Sequence, residues 1–476
     1  MFRPGRALLD WLAAALIGVV VFAWFGHAFL NYDTFYALVW GSDLAHGRTP
    51  DYSVPVAPTP HPLAELIGIV LTPFGSGAED LMLAIGVLAL GMLAVGLFRL
   101  GQELFGVWAG LLAAAIIMTR VPILSFGIRG YVDVPTAALV VWGVVLEVRR
   151  PHRGAPVLIL FGLAGLLRPE AWLYAGVYWF WLVTTAPDRT RIRQWTLLAL
   201  AAPLIWLVSD LVITGNAFHS LTGTHDLASE LNRRTGITQL PAVGPRRLGE
   251  ILRLPELLAA LVGIGFSVKW MRDRAHLPLV IALLNGIAYT AFAIAHLPLL
   301  GRYLFVGACM LAVFAGAGAF GWLALPPDHP ARRFWRPVGI AAIVVIVVFF
   351  PLQQVDRLNL MKDDIAARDR VQAELKDLVQ RADVKPRLRA CPRIYVLSHR
   401  PIPLVALYAG IPATRVVTAK GEVTGCAIIP RTDEAARLAV LDPNEPIAEG
   451  AYFSGQGTKQ NRSWEFAPRA RVATTG

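Results

Sequence analysis

Long apolar stretches recur along the sequence as far as Pro351. A membrane-spanning helix requires roughly 17–25 mainly apolar residues, and about eleven such stretches precede Pro351. The chain is 55% hydrophobic and only 16% charged, with a mean hydropathy of +0.54. This composition excludes an ordinary soluble domain. The sequence therefore predicts a polytopic α-helical membrane protein with about eleven transmembrane helices.

The basic residues indicate the orientation of the chain. The net charge is +11, but the arginines and lysines form short clusters between apolar stretches, which is the positive-inside pattern rather than a nucleic-acid surface. Arg3 and Arg6 precede the first stretch, so the N-terminus is predicted to be cytoplasmic. That stretch runs to Phe29 without a small-residue cleavage site, which favours an uncleaved first span. We expect a multi-pass protein of the cytoplasmic membrane.

Two regions are predicted. Residues 1–351 form a transmembrane domain that includes a first extracytoplasmic loop at 30–62, where TFYALVWG has the spacing of an amphipathic helix on a membrane surface. An odd number of spans places residues 352–476 outside, as a small α/β domain. There, RIYVLS and GCAIIP predict buried strands, with parallel pairing expected, and IPLVALYAG predicts a helix. The end from about Ser454 is expected to be flexible.

Cysteine placement suggests one covalent link in the second region. Cys391 and Cys426 both fall within or just before a predicted strand of that domain. Parallel neighbouring strands could bring them together, and an oxidising compartment would allow a disulfide. Cys309 lies in an apolar run and is predicted to be a packing residue.

Charged residues at membrane depth are unfavourable, by roughly 2.5–3.5 kcal/mol each on insertion scales, so those retained near span ends suggest a functional site. On the outward side we predict that they line one cavity. They are Asp33, Asp43, Glu65, Arg120, Arg129, Asp133, Arg168, Glu170 and Arg302.

Asp33 and Asp133 are the candidate catalytic carboxylates. Asp33 follows the first span between aromatic residues, where a carboxylate can take a proton from an attacking hydroxyl. Either residue could instead be a helix N-cap, since Asp33 precedes TFYALVWG and Asp133 precedes Pro135. Spacing alone leaves both interpretations open.

The arginines are candidate phosphate ligands, because a guanidinium binds phosphate with paired, charge-assisted hydrogen bonds. Each has an alternative role. Arg129 could be a solvated side chain, Arg168 could simply pair with Glu170, and Arg302 could anchor lipid headgroups together with Tyr303. Asp43, Arg120, Glu170 and Tyr303 complete the predicted substrate-binding set.

His61, in TPHP, is a possible donor to substrate or the cap of the helix that follows. His219 and His225 lie in an outward loop, but no second-ligand spacing supports a metal site. No metal ligand is therefore predicted, no cofactor is assigned, and a divalent cation is left open. Walker and HExxH motifs are absent from the sequence.

Several segments, in their order along the chain, resemble the GT-C superfamily of polyprenyl-phosphate-sugar-dependent glycosyltransferases, which includes protein O-mannosyltransferases and the lipid A aminoarabinose transferase. They are YDTFYALVWGSDLAHGRTP with Asp33, TPHPLAELIGIVLTPFG, FRLGQELFG, YVDVP with Asp133, GLLRPEAWL, TGNAFHS and GRYLF around Arg302. The likeness extends from about Arg6 to Phe350.

The resemblance implies inverting transfer of a sugar from a polyprenyl-phosphate donor to an extracytoplasmic glycan, lipid or protein acceptor, with Asp33 as general base and Asp133 as a second acidic residue near a substrate. Protein O-mannosyltransferases often carry an acidic pair where this chain has Asp33 followed by Thr34, so the acceptor class stays open. Two other functions fit the sequence: a lipid-linked-sugar transporter or flippase, and a ligase or polymerase that uses a lipid-diphosphate glycan.

Overall fold

A computed structural model describes residues 4–54, 56–185, 189–231, 233–419, 422–439, 450–453 and 457–474. Helices dominate the first three quarters of these residues. In chain order they are α1 Pro4–Phe25, α2 Tyr32–Ala45, α3 Pro62–Leu71, α4 Ala78–Phe105, α5 Val107–Ile117, α6 Val121–Ile128, α7 Asp133–Arg149, α8 Ala155–Leu167, α9 Ala171–Thr185, α10 Arg189–Thr214, α11 His219–Glu230, α12 Leu240–Ile251, α13 Leu254–Trp270, α14 Arg272–Ile294, α15 Phe305–Phe320 and α16 Ala331–Phe350.

The remaining residues mix helices and strands. Their helices are α17 Asp356–Gln380, α18 Lys385–Ala390, α19 Pro401–Ala409 and α20 Asp433–Ala439, and their strands are β1 Ile394–Val396, β2 Val416–Thr418, β3 Glu422–Pro430, β4 Gly450–Phe453, β5 Lys459–Gln460 and β6 Trp464–Thr474.

The helices confirm a polytopic membrane protein but not the predicted count of eleven spans. Within the described residues, six helical stretches are long and apolar enough to cross a membrane, or eight if each of two bent helix pairs counts as one span. The bends are 69° between α5 and α6 and 100° between α12 and α13. Helices α7, α8 and α9 have 17, 13 and 15 residues. Helix α7 is at the lower limit of an ordinary span, and α8 and α9 are shorter, which explains why a count from apolar runs is uncertain there.

The chain divides into two compact units. Unit 1 contains residues 1–26, 84–209 and 234–362, and unit 2 contains residues 27–83, 210–233 and 363–476. The first outward loop of the sequence analysis is therefore grouped with the C-terminal α/β residues.

Helix α15 is the core of unit 1. Every residue from Phe305 to Ala319 except Leu311 is buried. Small residues allow its neighbours to approach closely: a Cβ atom at Gly263 of α13 would lie 1.8 Å from the carbonyl oxygen of Phe314. Close backbone contact through small residues is the usual way in which membrane helices pack, since lipid gives no hydrophobic drive between them.

Unit 2 is built on a sheet of strand order β2-β1-β3-β6-β4, with β5 paired to β6. Strand β1 runs parallel to β2 and β3, as expected, whereas β6 is antiparallel to β3, β4 and β5. The flexible end that the sequence suggested from about Ser454 instead contains β5 and β6. Strand β6 pairs with β3, and alternate apolar side chains of β6, such as Trp464 and Phe466, are buried.

The aromatic face of α2 is not a membrane-surface face. Phe35, Tyr36 and Trp40 are at most 2% exposed and belong to the same apolar core as Ile394 and Phe466. An amphipathic spacing identifies an apolar helix face, but the core of a folded domain can cover such a face as well as a membrane can.

Cys391 and Cys426 form the predicted disulfide, with their Cα atoms 6.2 Å apart. Strands β1 and β3 are neighbours in parallel register, with Ile394 opposite Cys426, and this pairing brings the two cysteines together. Cys309 is a buried free cysteine, as expected.

Candidate functional site

Arg168 is the centre of a buried charged cluster in unit 1. It follows α8 in an extended conformation, and its side chain is 6% exposed. Nη2 lies 3.0 Å from Oδ1 of Asp133, and Nε donates to Oε1 of Glu170 at 3.1 Å. Burial alone would lower the pKa of the guanidinium, but the two carboxylates outweigh burial and raise this pKa above its ordinary value. Arg168 is thus a fixed cation. Its contact with Glu170 is the one expected from its alternative role as an ion-pair partner.

Two further arginines gather around two tyrosines beside Arg168. The guanidinium carbon of Arg168 lies 4.5 Å from the ring centre of Tyr303, and that of Arg302 lies 5.7 Å from the same ring. Arg302 is also 6.0 Å from the ring of Tyr131. Arg129 lies 5.0 Å from the Tyr131 ring and donates to its hydroxyl at 3.1 Å. We call Arg129, Arg168, Arg302, Tyr131 and Tyr303 the arginine cluster.

The geometry of the arginine cluster depends on an asparagine that sequence reasoning missed. Asn285, on α14 and 1% exposed, donates from Nδ2 to the carbonyl oxygen of Tyr303 at 2.9 Å and accepts from the amide of Gly307 at 2.9 Å. It therefore fixes the turn that presents Arg302. The sequence does contain a signal for Asn285: it is an amide side chain within an apolar helix, where polar side chains are rare and usually hydrogen-bonded. Tyr131 is a second residue of the site that the sequence analysis does not predict, although it lies between Arg129 and Asp133.

The cluster has the composition of an anion site. Three guanidiniums and the two carboxylates of Asp133 and Glu170 leave one net positive charge. Arginine beside aromatic rings binds phosphate through paired hydrogen bonds while the rings limit access of water. The carboxylates of Asp133 and Glu170 orient Arg168, so Asp133 serves here as an ion-pair partner. It lies in the first turn of α7, whose cap position is held by Val132, so its alternative as an N-cap is wrong.

Asp33 lies in unit 2, in the first turn of α2. The cap of this helix is Asn31, whose Oδ1 accepts from the amides of Asp33 at 2.8 Å and Thr34 at 3.2 Å. The alternative that Asp33 is the N-cap is therefore wrong. Next to it, burial and the neighbouring Tyr36 raise the pKa of the Tyr32 hydroxyl, which donates to the carbonyl of Val56 at 2.8 Å. At neutral pH this hydroxyl is therefore a neutral donor.

Of the other predicted residues, Asp43 and His61 belong to unit 2. Asp43 pairs with Arg48 at 2.8 Å in a polar cavity of about 420 Å³ in unit 2. His61 occupies the cap position of α3, but its side chain makes no capping hydrogen bond. Arg120 belongs to unit 1 and is 1% exposed; it pairs with Glu256 at 3.1 Å and donates to the carbonyl of Ile116. This ion pair neutralises the buried Glu256.

No group of three or more histidine, cysteine, aspartate or glutamate side chains in the described part of the chain has the geometry of a metal site.

His219 stacks on Tyr52 with ring centres 6.0 Å apart. Glu65, buried in the same unit, accepts from the Tyr52 hydroxyl at 2.8 Å.

The fold has known counterparts. No protein-family model matches the sequence, and no curated protein sequence matches it. Among solved structures, ArnT from Cupriavidus metallidurans bound to undecaprenyl phosphate matches with a TM-score of 0.51 and 14% identity over 100% of this chain and 99% of that chain. The same protein in the apo state matches with a TM-score of 0.50 and 15% identity over 98% of both chains.

A second type of protein shares the architecture. The oligosaccharyltransferase AglB from Archaeoglobus fulgidus, in complex with an inhibitory peptide and a dolichol-phosphate, matches with a TM-score of 0.50 and 13% identity over 98% of this chain and 74% of that chain. ArnT and AglB are both GT-C proteins. The chain has a GT-C fold. At these identities the likeness concerns the fold, which is the one that the sequence resemblance implied.

Proposed function

We propose that the protein is a membrane glycosyltransferase that transfers a sugar from a polyprenyl-phosphate donor to an extracytoplasmic acceptor, with inversion at the anomeric carbon. The observation that carries this proposal is the arginine cluster: three arginines and two tyrosines, from three separate segments of the chain, meet in one place within a GT-C fold. The ligand that best fits this composition is a phosphate.

The donor phosphate would bind at Arg302 and Arg129, with Arg168 held in place by Asp133 and Glu170. As the bond between the anomeric carbon and the phosphate oxygen breaks, negative charge grows on the phosphate that leaves. Fixed guanidiniums near that charge stabilise the transition state without reorganisation. The leaving group therefore needs cations and no general acid.

The acceptor hydroxyl must lose its proton as it attacks, and Asp33 is the proposed base. Two observations support this choice within unit 2: the capping role that would explain Asp33 is already filled by Asn31, and the nearby Tyr32 is a neutral donor. A single displacement by an activated hydroxyl inverts the configuration of the sugar. No divalent cation is needed for this scheme.

The experiment is a donor comparison with purified protein in lipid nanodiscs. One arm carries a polyprenyl-monophosphate sugar and the other a polyprenyl-diphosphate sugar, each with an extract of envelope acceptors. We expect acceptor-dependent release of polyprenyl monophosphate in the first arm only, and an inverted linkage by NMR. A parallel assay in proteoliposomes tests transport: movement of intact donor across the bilayer without release would identify a transporter. Turnover only with the diphosphate would identify a ligase or polymerase.

A matched pair of variants links the result to the arginine cluster. Arg302→Ala removes a guanidinium of the cluster, whereas Arg193→Ala removes an exposed one on α10. Loss of transfer in both variants, or in neither, would contradict the proposed donor site.

A further inference from the structure

Arg120 occupies the bend between α5 and α6. It is in an extended conformation between the two helices, which bend by 69° there. Its buried side chain donates from Nε to the carbonyl oxygen of Ile116, in the last turn of α5, and from Nη2 to Oγ1 of Thr119, both at 2.9 Å. The backbone carbonyl of Arg120 accepts from the amide of Leu124 in the first turn of α6. One residue thus closes α5 and opens α6.

The bend between α12 and α13 is joined to Arg120. Glu256, buried in the first turn of α13, accepts from Nη1 of Arg120 at 3.1 Å. Gln354 is also buried and lies in a π-helical turn at Pro351–Val355. With its amide oxygen facing the two guanidiniums, Gln354 accepts from Nη1 of Arg120 at 3.2 Å and from Nε of Arg253, the cap residue of α13, at 3.1 Å. We call Arg120, Arg253, Glu256 and Gln354 the bend cluster.

The main contribution of the bend cluster is to geometry. Withdrawal of two charges from water can cost as much free energy as their attraction returns, so a buried ion pair is weak evidence for stability. Within the described part of the chain, Oε2 of Glu256 has no hydrogen-bond partner, which reduces the benefit of the pair further. The planar guanidinium of Arg120, however, fixes the directions of several acceptors at once. These acceptors belong to three breaks in the helical backbone.

Both bends lead into the arginine cluster. Helix α6 has 8 residues and is capped at its C-terminal end by Arg129. Helix α12 contacts α6 and also the turn that carries Arg302, where a Cβ atom at Gly301 would lie 3.6 Å from Cδ of Arg247. A change of about 10° in the bend at Arg120 would move Arg129 by roughly 2 Å, because a helix of this length extends about 12 Å. Misplacement on the order of 1 Å can reduce a rate about 100-fold.

We propose that Arg120, Glu256 and Gln354 are positioning residues for the donor site. They hold the α5–α6 and α12–α13 bends at the angles that bring Arg129 and Arg302 to the donor phosphate. This inference rests on the proposed function of the arginine cluster. Arg120, which the sequence predicted to bind substrate, thereby acts through Arg129 and Arg302.

The first test is binding of a fluorescent polyprenyl phosphate to the full-length protein in nanodiscs. Arg120→Lys keeps the positive charge beside Glu256 but loses the planar fork, so we expect the Kd to rise at least fivefold. Arg99→Lys is the matched control and should keep the wild-type Kd. Arg99 donates through Nε and Nη2 to Asp10 in another ion pair of unit 1, which joins α1 to α4. Neither of these helices carries a residue of the arginine cluster.

The second test measures a bend directly and does not depend on activity. Spin labels at Ala242→Cys on α12 and Val268→Cys on α13, both exposed positions, report their separation by double electron–electron resonance on a Cys309→Ser background. A change of about 10° in this bend alters the separation by roughly 2 Å. We expect the distance distribution to shift or broaden by at least that amount in Arg120→Lys and to match the wild type in Arg99→Lys.

A further variant keeps the inference testable if Arg120→Lys does not fold. Gln354→Met removes the oxygen shared by the two guanidiniums and leaves the ion pair of Arg120 with Glu256 in place, and it should change both the distance and the Kd in the same direction. An unchanged distance in both variants, a changed distance with wild-type affinity, or an equal loss of affinity in Arg99→Lys would overturn the inference. Failure of the wild type itself to bind polyprenyl phosphate would refute the proposed function, and this inference with it.

Discussion

At the scale of single residues, the cap of α2 and the proposed catalytic base are two different side chains, Asn31 and Asp33. Asn31 satisfies the amides that a helix leaves unpaired at its start. Asp33, two residues later, enters that cap through its backbone amide, which donates to Asn31. A carboxylate in the first turn still interacts favourably with the helix dipole, by roughly 0.3–1 kcal/mol. This interaction is small, and asparagine keeps the shape of the side chain, so we expect Asp33→Asn to leave unit 2 folded.

Asp33→Asn should therefore leave the protein folded and able to bind donor while turnover falls by the roughly 10²–10⁴-fold that is typical of losing a general base. Steady-state transfer at saturating donor measures the loss, and binding of labelled polyprenyl phosphate measures the retained affinity. Asn31→Ala is the structural control: it should lower stability by about 0.5–2 kcal/mol with turnover reduced much less. Near-normal turnover in Asp33→Asn would reassign the base, with Asp43 as the next candidate.

The arginines of the cluster should behave differently from one another. Arg302→Ala removes a cation from the proposed phosphate site and should raise the donor KM with a smaller effect on expression. Arg168→Ala leaves Asp133 buried and unpaired at 2% side-chain exposure, which typically costs about 3–5 kcal/mol. Thermal unfolding in detergent should thus show a large loss for Arg168→Ala and little change for Arg302→Ala. Equal losses would mean that Arg302 is also structural.

At the scale of elements, the disulfide connects the segment between α18 and β1 to β3. Parallel strands are remote in sequence, and β1 and β3 are separated by α19 and β2. The link closes a loop with a sequence separation of 35 residues. It restricts the unfolded chain more than a short loop would.

Cys391→Ser should lower the stability of the sheet by about 3–4 kcal/mol on the chain-entropy model. Limited proteolysis of the C-terminal region under increasing urea measures this loss. Cys309→Ser is the matched control, because Cys309 is a buried free thiol in unit 1, and it should leave the proteolysis midpoint unchanged. A midpoint that is the same in the wild type with and without reductant would show that the link adds no stability.

At the scale of the whole molecule, the positive-inside pattern predicts the orientation. Thr190 is expected on the cytoplasmic side and Ala382 on the outer side, and both are exposed. In intact cells, a membrane-impermeant thiol reagent should label Ala382→Cys but not Thr190→Cys. The reverse pattern would invert the topology and remove the proposed acceptor side.

The sequence predicted the membrane class, the mixed α/β region, the strands at RIYVLS and GCAIIP and the disulfide, because each depends on local pattern or on simple strand pairing. It could not predict that Asp133 would pair with Arg168, since that contact depends on how α7 and α8 pack. The same limit applies to Asn285, whose partners on the turn before α15 are fixed by packing. The span count was uncertain because helices α7 to α9 are too short for hydropathy to separate them from buried core helices.

The three-part composition of unit 2 has a consequence for biosynthesis. Residues 27–83 leave the ribosome early, yet the strands they pack with belong to residues 363–476. At a translation rate of roughly 5–20 residues per second, about 280 intervening residues impose a delay on the order of 15–60 s. During that time Phe35, Tyr36 and Trp40 have no completed core to enter. The nascent chain must shield them, either by transient immersion in the lipid surface, to which their amphipathic spacing is well suited, or by a chaperone at the translocation channel.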